Sequence, residues 1–135
     1  MINYLIDTDI FSMYMRNHST VVGNFSRYFG NIYKPAISIL TYYEILSGLT
    51  YRDSKKQLSV FMEMIEYCRI FELNPESIKS SAIIYANLRK SGVIIDDVDI
   101  LIAGICMSNK MILVTNNEKH YGNIPNLVIE NWSKE

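Results

Sequence analysis

Cysteine, proline and glycine are all scarce in this 135-residue sequence, which contains two, three and six of them. The two cysteines, Cys68 and Cys106, show no metal-binding or redox spacing, which favours reduced, buried thiols over a disulfide framework. No apolar run is long enough to cross a membrane, and the start, MINYLIDTD, reaches an aspartate before a signal-peptide core could form. These absences predict a cytoplasmic protein without a membrane segment.

Neither sign of charge is in excess. Thirteen Lys and Arg residues stand against 14 Asp and Glu residues, for a net charge of −1. Nucleic-acid binders are often basic, because phosphate contacts dominate their affinity, so the overall charge gives no support for RNA binding. The chain is instead rich in Tyr and Met, with ten and seven residues, types that serve both core packing and partner surfaces.

The remaining composition, 49% hydrophobic and 20% charged, is typical of one globular domain spanning residues 1–135. Apolar runs bounded by turn residues predict strands, and helical periodicity predicts helices between them. The strands are expected at 2–6, 36–39, 69–73, 111–115 and 127–130. The helices are expected from 9 to about 30 in two parts, with Ser19 capping the second, and at 41–49, 54–68, 75 to about 91 and 97–109. This alternation predicts an α/β fold with a mainly parallel sheet of four to five strands, covered on both faces.

Acidic residues follow the first two predicted strands and open the helix before the fourth. Asp7 and Asp9 come directly after the first strand, Glu44 lies one helical turn beyond the second, and Asp99 lies near the start of that helix. Ligands bind at the carboxyl ends of parallel strands, so these side chains are expected to converge. Carboxylates in one pocket repel each other unless a cation neutralises them, and Mg²⁺ or Mn²⁺ suits oxygen ligands best. Such an ion can activate water, which predicts phosphoryl transfer or phosphodiester hydrolysis.

Structural roles are the alternative explanation for each of these acids. Asp7 or Asp9 could cap the following helix, and capping is the expected role for Asp9. Asp99 also lies in a first helical turn, where an acid suits the helix dipole. Glu44 and Asp99 are embedded in apolar stretches, however, where an acid is either functional or paired. The two histidines, His18 and His120, are expected to be isolated surface residues.

Four segments together resemble the PIN-domain ribonucleases of the VapC toxin type. They are YLIDTDI, ISILTYYEILSGL, DDVDILIAGICMSNKMILVTNN and IPNLVIENW. The resemblance implies a three-layer α/β/α PIN-like domain and an Mg²⁺- or Mn²⁺-dependent endoribonuclease, the toxin of a toxin–antitoxin system, which cuts structured RNA such as tRNA or rRNA. It also implies a homodimer that forms a heterotetramer or hetero-octamer with a VapB-like antitoxin.

The resemblance also implies roles for individual positions. Asp7 and Asp99 match the central metal ligands, and Glu44 matches the acid of the second motif, as a ligand or as the base that deprotonates water. Thr8 matches the small polar residue beside the first aspartate, which completes the catalytic set. The fourth position usually bears Asp in the wider group, whereas this chain offers an amide. The secondary candidates there are Thr115, Asn117 and Asp96, the last as a source of the missing charge.

Two binding surfaces are predicted from residue type. Charge suggests an RNA surface formed by Arg16, Arg52, Lys55 and Lys56. Apolar character suggests a groove for an amphipathic antitoxin helix, formed by Phe11, Met13, Tyr14, Met15, Tyr42 and Tyr43, some of which must belong to the core.

Three other functions compete with a nuclease. Asp7 and Asp9 form the D-x-D of a haloacid-dehalogenase-like phosphatase, with a nucleophile and a general acid, although Phe11 stands where that family has Thr or Val. A receiver-type phosphoacceptor would need its acceptor Asp at the end of a middle strand, whereas the strand expected in the middle, at 36–39, is followed by Leu and Thr, and the strand at 69–73 is followed by Asn74. A catalytically silent PIN fold that only binds RNA or a partner is the third.

Overall fold

The structure is a computed structural model, which describes residues 3–30 and 34–135. Its centre is a parallel sheet of five strands: β1 (Tyr4–Ile6), β2 (Ala36–Ser38), β3 (Arg69–Phe71), β4 (Ile112–Val114) and β5 (Ile129–Glu130). Their spatial order is β3-β2-β1-β4-β5, and each pair of neighbours runs parallel. The central strand, β1, aligns Leu5 with Ala36 on one side and with Leu113 on the other. The predicted parallel sheet of four to five strands is confirmed.

Seven helices in the described residues connect and flank the strands. They are α1 (Thr8–Met15), α2 (Ser19–Phe29), α3 (Ile39–Tyr51), α4 (Lys55–Ile65), α5 (Pro75–Lys90), α6 (Asp97–Ser108) and α7 (Glu118–Tyr121). The start of α5 is the most clearly encoded, because Asn74 and Ser77 form a reciprocal capping box around Pro75. No helix in the described part of the chain is both long and apolar enough to span a lipid bilayer.

Successive side chains of each strand point to opposite faces of the sheet, which divides the core into two halves. Leu5 and Leu113 face α5 and α6, whereas Ile6 and Val114 face α1 to α4. All four side chains are fully buried, and burying a side chain of this size stabilises the fold by about 1.5–3 kcal/mol. The result is the expected three-layer arrangement, with the sheet between two layers of helices. Trp132 closes the second half, where its ring stacks on Tyr28 at 4.6 Å.

The helices α5 and α6 approach each other unusually closely at Gly104. A Cβ atom at this position would overlap the Ser81 hydroxyl and lie 2.6 Å from the carbonyl oxygen of Ser77. The Ser81 hydroxyl donates a hydrogen bond across the interface to the carbonyl of Ile100, at 3.1 Å. This contact fixes the position of α6, whose first turn carries Asp99.

Several predicted boundaries were wrong in detail. Ser19 is the first residue of α2, and its predicted role as the cap belongs to His18, whose Nδ1 accepts a hydrogen bond from the backbone N–H of Val21. Ser38 accepts from the N–H of Thr41, so α3 begins directly after β2 and the strand predicted at 36–39 is shortened. The first predicted strand begins at residue 2, which lies outside the described residues. The short helix α7 was not predicted, because four residues are too few to show a periodic pattern.

Candidate active site

Asp7 follows the central strand, β1, directly at its carboxyl end, and its side chain is buried. Its backbone N–H donates to the carbonyl of Val114, and its carboxylate accepts a hydrogen bond of 2.7 Å from the hydroxyl of Thr115. Asp7 occupies the N-cap position of α1, yet its side chain makes no capping hydrogen bond. The carboxylate is therefore directed to the end of β4. The alternative role of Asp7, as a side-chain cap of α1, is not what the structure shows.

Asp9 faces the same edge of the sheet from the first turn of α1. Its carboxylate accepts hydrogen bonds from the backbone N–H of Ile10 at 2.7 Å and from that of Asn116 at 3.1 Å. The first is local to the helix, but the second connects Asp9 to the loop after β4. The expectation that Asp9 only caps the helix was therefore too narrow, and Asp9 is a further acid of the site.

Asp99 completes the group from the first turn of α6. Its carboxylate accepts a hydrogen bond of 3.2 Å from the hydroxyl of Tyr121 and lies 3.7 Å from Nδ1 of His120. Tyr121 is fully buried, so its ring is held by the core and its hydroxyl has a fixed direction. His120 is exposed, as the sequence predicted, but it is not isolated, because it lies beside an acid of the site.

The pKa values of all three acids are raised, mainly because burial disfavours the charged carboxylate, and negative neighbours add to the rise. Burial raises the pKa of Asp7 to about 7, and the charges of Asp9 and Asp99 contribute to that rise, against the hydrogen bond from Thr115. Burial is also the main cause that raises the pKa of Asp9, with Asp99 adding to it. Burial raises the pKa of Asp99 too, against the hydrogen bond from Tyr121. Three carboxylates thus lie together under an electrostatic strain that a cation would relieve.

The donor chemistry of this cluster fits a hard divalent cation. Carboxylate oxygens with raised pKa values are the groups that Mg²⁺ or Mn²⁺ neutralises. Among the described residues, no three His, Cys, Asp or Glu side chains are already arranged as ligands around one point. The three acids Asp7, Asp9 and Asp99, called the acidic pocket below, would therefore have to turn toward an ion in order to bind it.

Glu44 is connected by a hydrogen bond to Thr8, the residue that follows Asp7 in the chain. The hydroxyl of Thr8 donates to Oε1 of Glu44 at 2.6 Å and lies 2.9 Å from the hydroxyl of Thr41. Thr41 is in turn 3.4 Å from the hydroxyl of Ser38 at the end of β2. A chain of hydroxyl groups therefore orients Glu44, and its last member, Thr8, follows Asp7 directly in the chain.

The secondary candidates surround the cluster in different ways. Thr115 donates to Asp7, as described, and its hydroxyl oxygen accepts from the backbone N–H of Asn117 at 3.0 Å. The amide of Asn117 lies 3.0 Å from Nδ1 of His120, so it faces the histidine. Asp96 is exposed at the N-cap position of α6, without a capping hydrogen bond, and its charge helps to raise the pKa of Asp99.

Known proteins provide an independent comparison. The PIN domain family matches residues 4–123. Ribonuclease VapC2 of Rickettsia felis is 29% identical over 135 residues, covering 97% of this chain and 98% of the relative. Ribonuclease VapC1 of Methanocaldococcus jannaschii is 31% identical over 99 residues, covering 73% of this chain and 71% of the relative. The crystal structure of VapBC2 from Rickettsia felis bound to a DNA fragment from their promoter contains a similar chain, with a TM-score of 0.83 and 27% identity over 98% of this chain and 99% of that one.

Proposed function

Because the chain belongs to the PIN-domain family, we propose that it is a metal-dependent endoribonuclease of the VapC type, which hydrolyses phosphodiester bonds in structured RNA such as tRNA or rRNA. One observation carries the proposal beyond the family match. The carboxylates of Asp7, Asp9 and Asp99 lie near one another at the carboxyl edge of the sheet, close enough that the charges of Asp9 and Asp99 help to raise the pKa of Asp7, and each of the three has a raised pKa. Family membership leaves no place for the phosphatase and receiver alternatives, and an RNA cleavage assay distinguishes a nuclease from a silent PIN fold.

The proposed mechanism assigns a task to each side chain. Asp7 and Asp99 would hold an Mg²⁺ or Mn²⁺ ion, with Asp9 as a further acid beside them. Such an ion would supply Lewis-acid activation of water and charge neutralisation at the phosphate. Thr115 and Tyr121 orient the two carboxylates by their hydrogen bonds. Glu44, held by Thr8, takes up a proton from the attacking water or joins the ligands.

A cleavage assay on total RNA tests this proposal. The purified protein is incubated with Mg²⁺, with Mn²⁺ and with a chelator, and the 5′ ends produced are mapped. We expect cleavage at a small number of sites that stops with the chelator and is abolished by Asp7→Asn. The matched control is Asp53→Asn, the same change at an exposed aspartate outside the pocket, and it should cleave normally. A folded wild-type protein that leaves all RNA intact with both metals would support the silent PIN fold instead.

We also propose that an amphipathic segment of a VapB-like antitoxin binds this chain, since VapBC assemblies are its structural relatives. The structure separates the six residues predicted for this groove into buried and exposed ones. Phe11 is buried in the core, while Tyr43 is exposed on α3. The structure contains an apolar groove of about 390 Å³ whose lining includes Phe11, Tyr14, Phe25, Phe29, Met64 and Tyr67.

Tyr67, which is 70% exposed there, offers the clearest test. Tyr67→Asp should weaken copurification with the antitoxin, and Tyr51→Asp, at another exposed tyrosine, should not.

Self-association is the last part of the proposal. Four exposed apolar side chains lie on α5 and in the loop after it, at Ile78, Ile83, Tyr85 and Ile94. A homodimer would cover such side chains, as interface cores are enriched in apolar and aromatic residues. Light scattering of the wild type should give twice the mass of one chain, and Ile83→Lys should shift the protein toward the monomer.

A further inference from the structure

A second groove, of about 630 Å³, opens beside the acidic pocket between α1, α3 and α4. Thr8 and Glu44 form part of its wall, so the groove is continuous with the proposed reaction site. Three cationic side chains also line it, Arg16 from the end of α1, Arg52 from the end of α3 and Lys56 from the start of α4. The chain as a whole has no basic excess, so this concentration of positive charge is local.

These cations have no acidic partner within the described ranges. The ion pairs found in 3–30 and 34–135 are Lys134 with Glu118 and His120 with Asp99, and neither involves the groove. The positive charge therefore faces the open space of the groove.

Helix electrostatics explain two of the three positions. Arg16 and Arg52 follow the last turns of α1 and α3, where a cation suits the negative end of the helix dipole. Lys56 lies in the first turn of α4, where the dipole disfavours a cation. Its neighbour Lys55 has the same disadvantage but does not line the groove. A role in fold stability thus does not account for Lys56.

We infer that this groove binds the RNA strand next to the scissile bond, with Arg16, Arg52 and Lys56 contacting its phosphates. The inference rests on the proposed nuclease function and assigns RNA-positioning residues to it. A strand whose reacting phosphate lies at the acids must leave the pocket on some side, and the Thr8–Glu44 end leads directly to these cations. Between them, Met15, Ile45 and Leu49 provide an apolar surface for a base or sugar face. Of the four cations predicted from charge, Arg16, Arg52 and Lys56 form this set, and Lys55 does not.

Lys55 and Lys56 form a matched pair for the test. Both are exposed lysines in the same helical turn, and Ala is a good helix former at either position. Binding of a fluorescent single-stranded oligoribonucleotide is measured by anisotropy in chelator, at several salt concentrations, for Lys55→Ala, Lys56→Ala and Arg52→Ala/Lys56→Ala. Each lost phosphate contact should reduce the slope of log K against log salt by about 0.7. Lys56→Ala should therefore have a slope that is smaller by about 0.7, and the double variant should show about twice that reduction. Lys55→Ala should keep the slope of the wild type.

The outcomes separate this inference from the proposed function. Equal slopes for the Lys55 and Lys56 variants, or a double variant with the wild-type slope, would overturn the inference even if the wild type cleaves RNA. A double variant that binds RNA normally but loses the antitoxin would assign the groove to a peptide and also overturn it. Conversely, a slope that depends on Lys56 in a protein that cleaves no RNA would support the groove and contradict the nuclease assignment.

Discussion

Replacing Asp7 by Asn should change how the stability of the metal-free protein depends on pH. In the folded protein the pKa of Asp7 is raised from 3.8 to about 7, so the fold binds its proton more tightly than the unfolded chain does. The stabilisation from this proton is therefore complete below about pH 4 and is lost as the pH rises through 7. A pKa difference of one between the folded and unfolded states corresponds to about 1.4 kcal/mol, so Asp7 contributes about 4 kcal/mol in total. Asparagine does not titrate and loses this dependence.

The assay is chemical denaturation in chelator at pH 5 and pH 8. For each protein, the free energy of unfolding at pH 5 is subtracted from that at pH 8. This difference does not contain any effect of the substitution that is independent of pH. Between pH 5 and pH 8 the free energy of unfolding of Asp7→Asn should rise by about 3 kcal/mol relative to that of the wild type. Asp53→Asn is the matched control and should follow the wild type, because Asp53 is exposed. If the free energy of unfolding changed equally between pH 5 and pH 8 in the wild type and in Asp7→Asn, Asp7 would not be a strained carboxylate. The electrostatic argument for a metal would then fail as well.

Three further predictions concern single residues. Tyr121→Phe removes the hydroxyl that orients Asp99, and should weaken Mn²⁺ binding by about 10-fold in calorimetry at little cost to the melting temperature; an unchanged affinity would assign Tyr121 to packing alone. Gly104→Ala forces a methyl group into Ser81 and should destabilise the protein by about 1–3 kcal/mol in denaturation experiments, whereas a neutral result would mean that α5 and α6 can separate freely. Glu44→Gln removes a charge in nearly the same volume and should lower kcat on RNA by about 100-fold, and wild-type turnover would exclude it as a base or ligand.

The overall fold could be predicted because its signals are local and repeated. The apolar runs around Leu5, Ile37 and Leu113 are bounded by polar residues, and a parallel sheet with helices on both faces is the arrangement that buries them. Precise boundaries were harder to predict, since one hydrogen bond decides them. Ser19 and His18 can both accept from a helix N–H, and only the backbone geometry selects His18.

The candidate site could be predicted in part. Asp7 and Glu44 follow the ends of strands and Asp99 lies in the first turn of a helix, positions that a sequence pattern can show. The contribution of Tyr121 could not be predicted, because nothing distinguishes it from nine other tyrosines until the fold places its hydroxyl beside Asp99. The basic groove was equally hard to predict, because its cations come from the ends of three different helices. The residues were named by charge, but the exclusion of Lys55 required the structure.

The central claim is that the acids at the carboxyl edge of the sheet hold a divalent cation for RNA hydrolysis. Calorimetric titration of Mn²⁺ into the purified metal-free protein tests it most directly. The wild type should bind the ion, Asp7→Asn and Asp99→Asn should each lose most of that binding, and Asp53→Asn should retain it. Equal Mn²⁺ binding by all four proteins, or none by the folded wild type, would contradict the account.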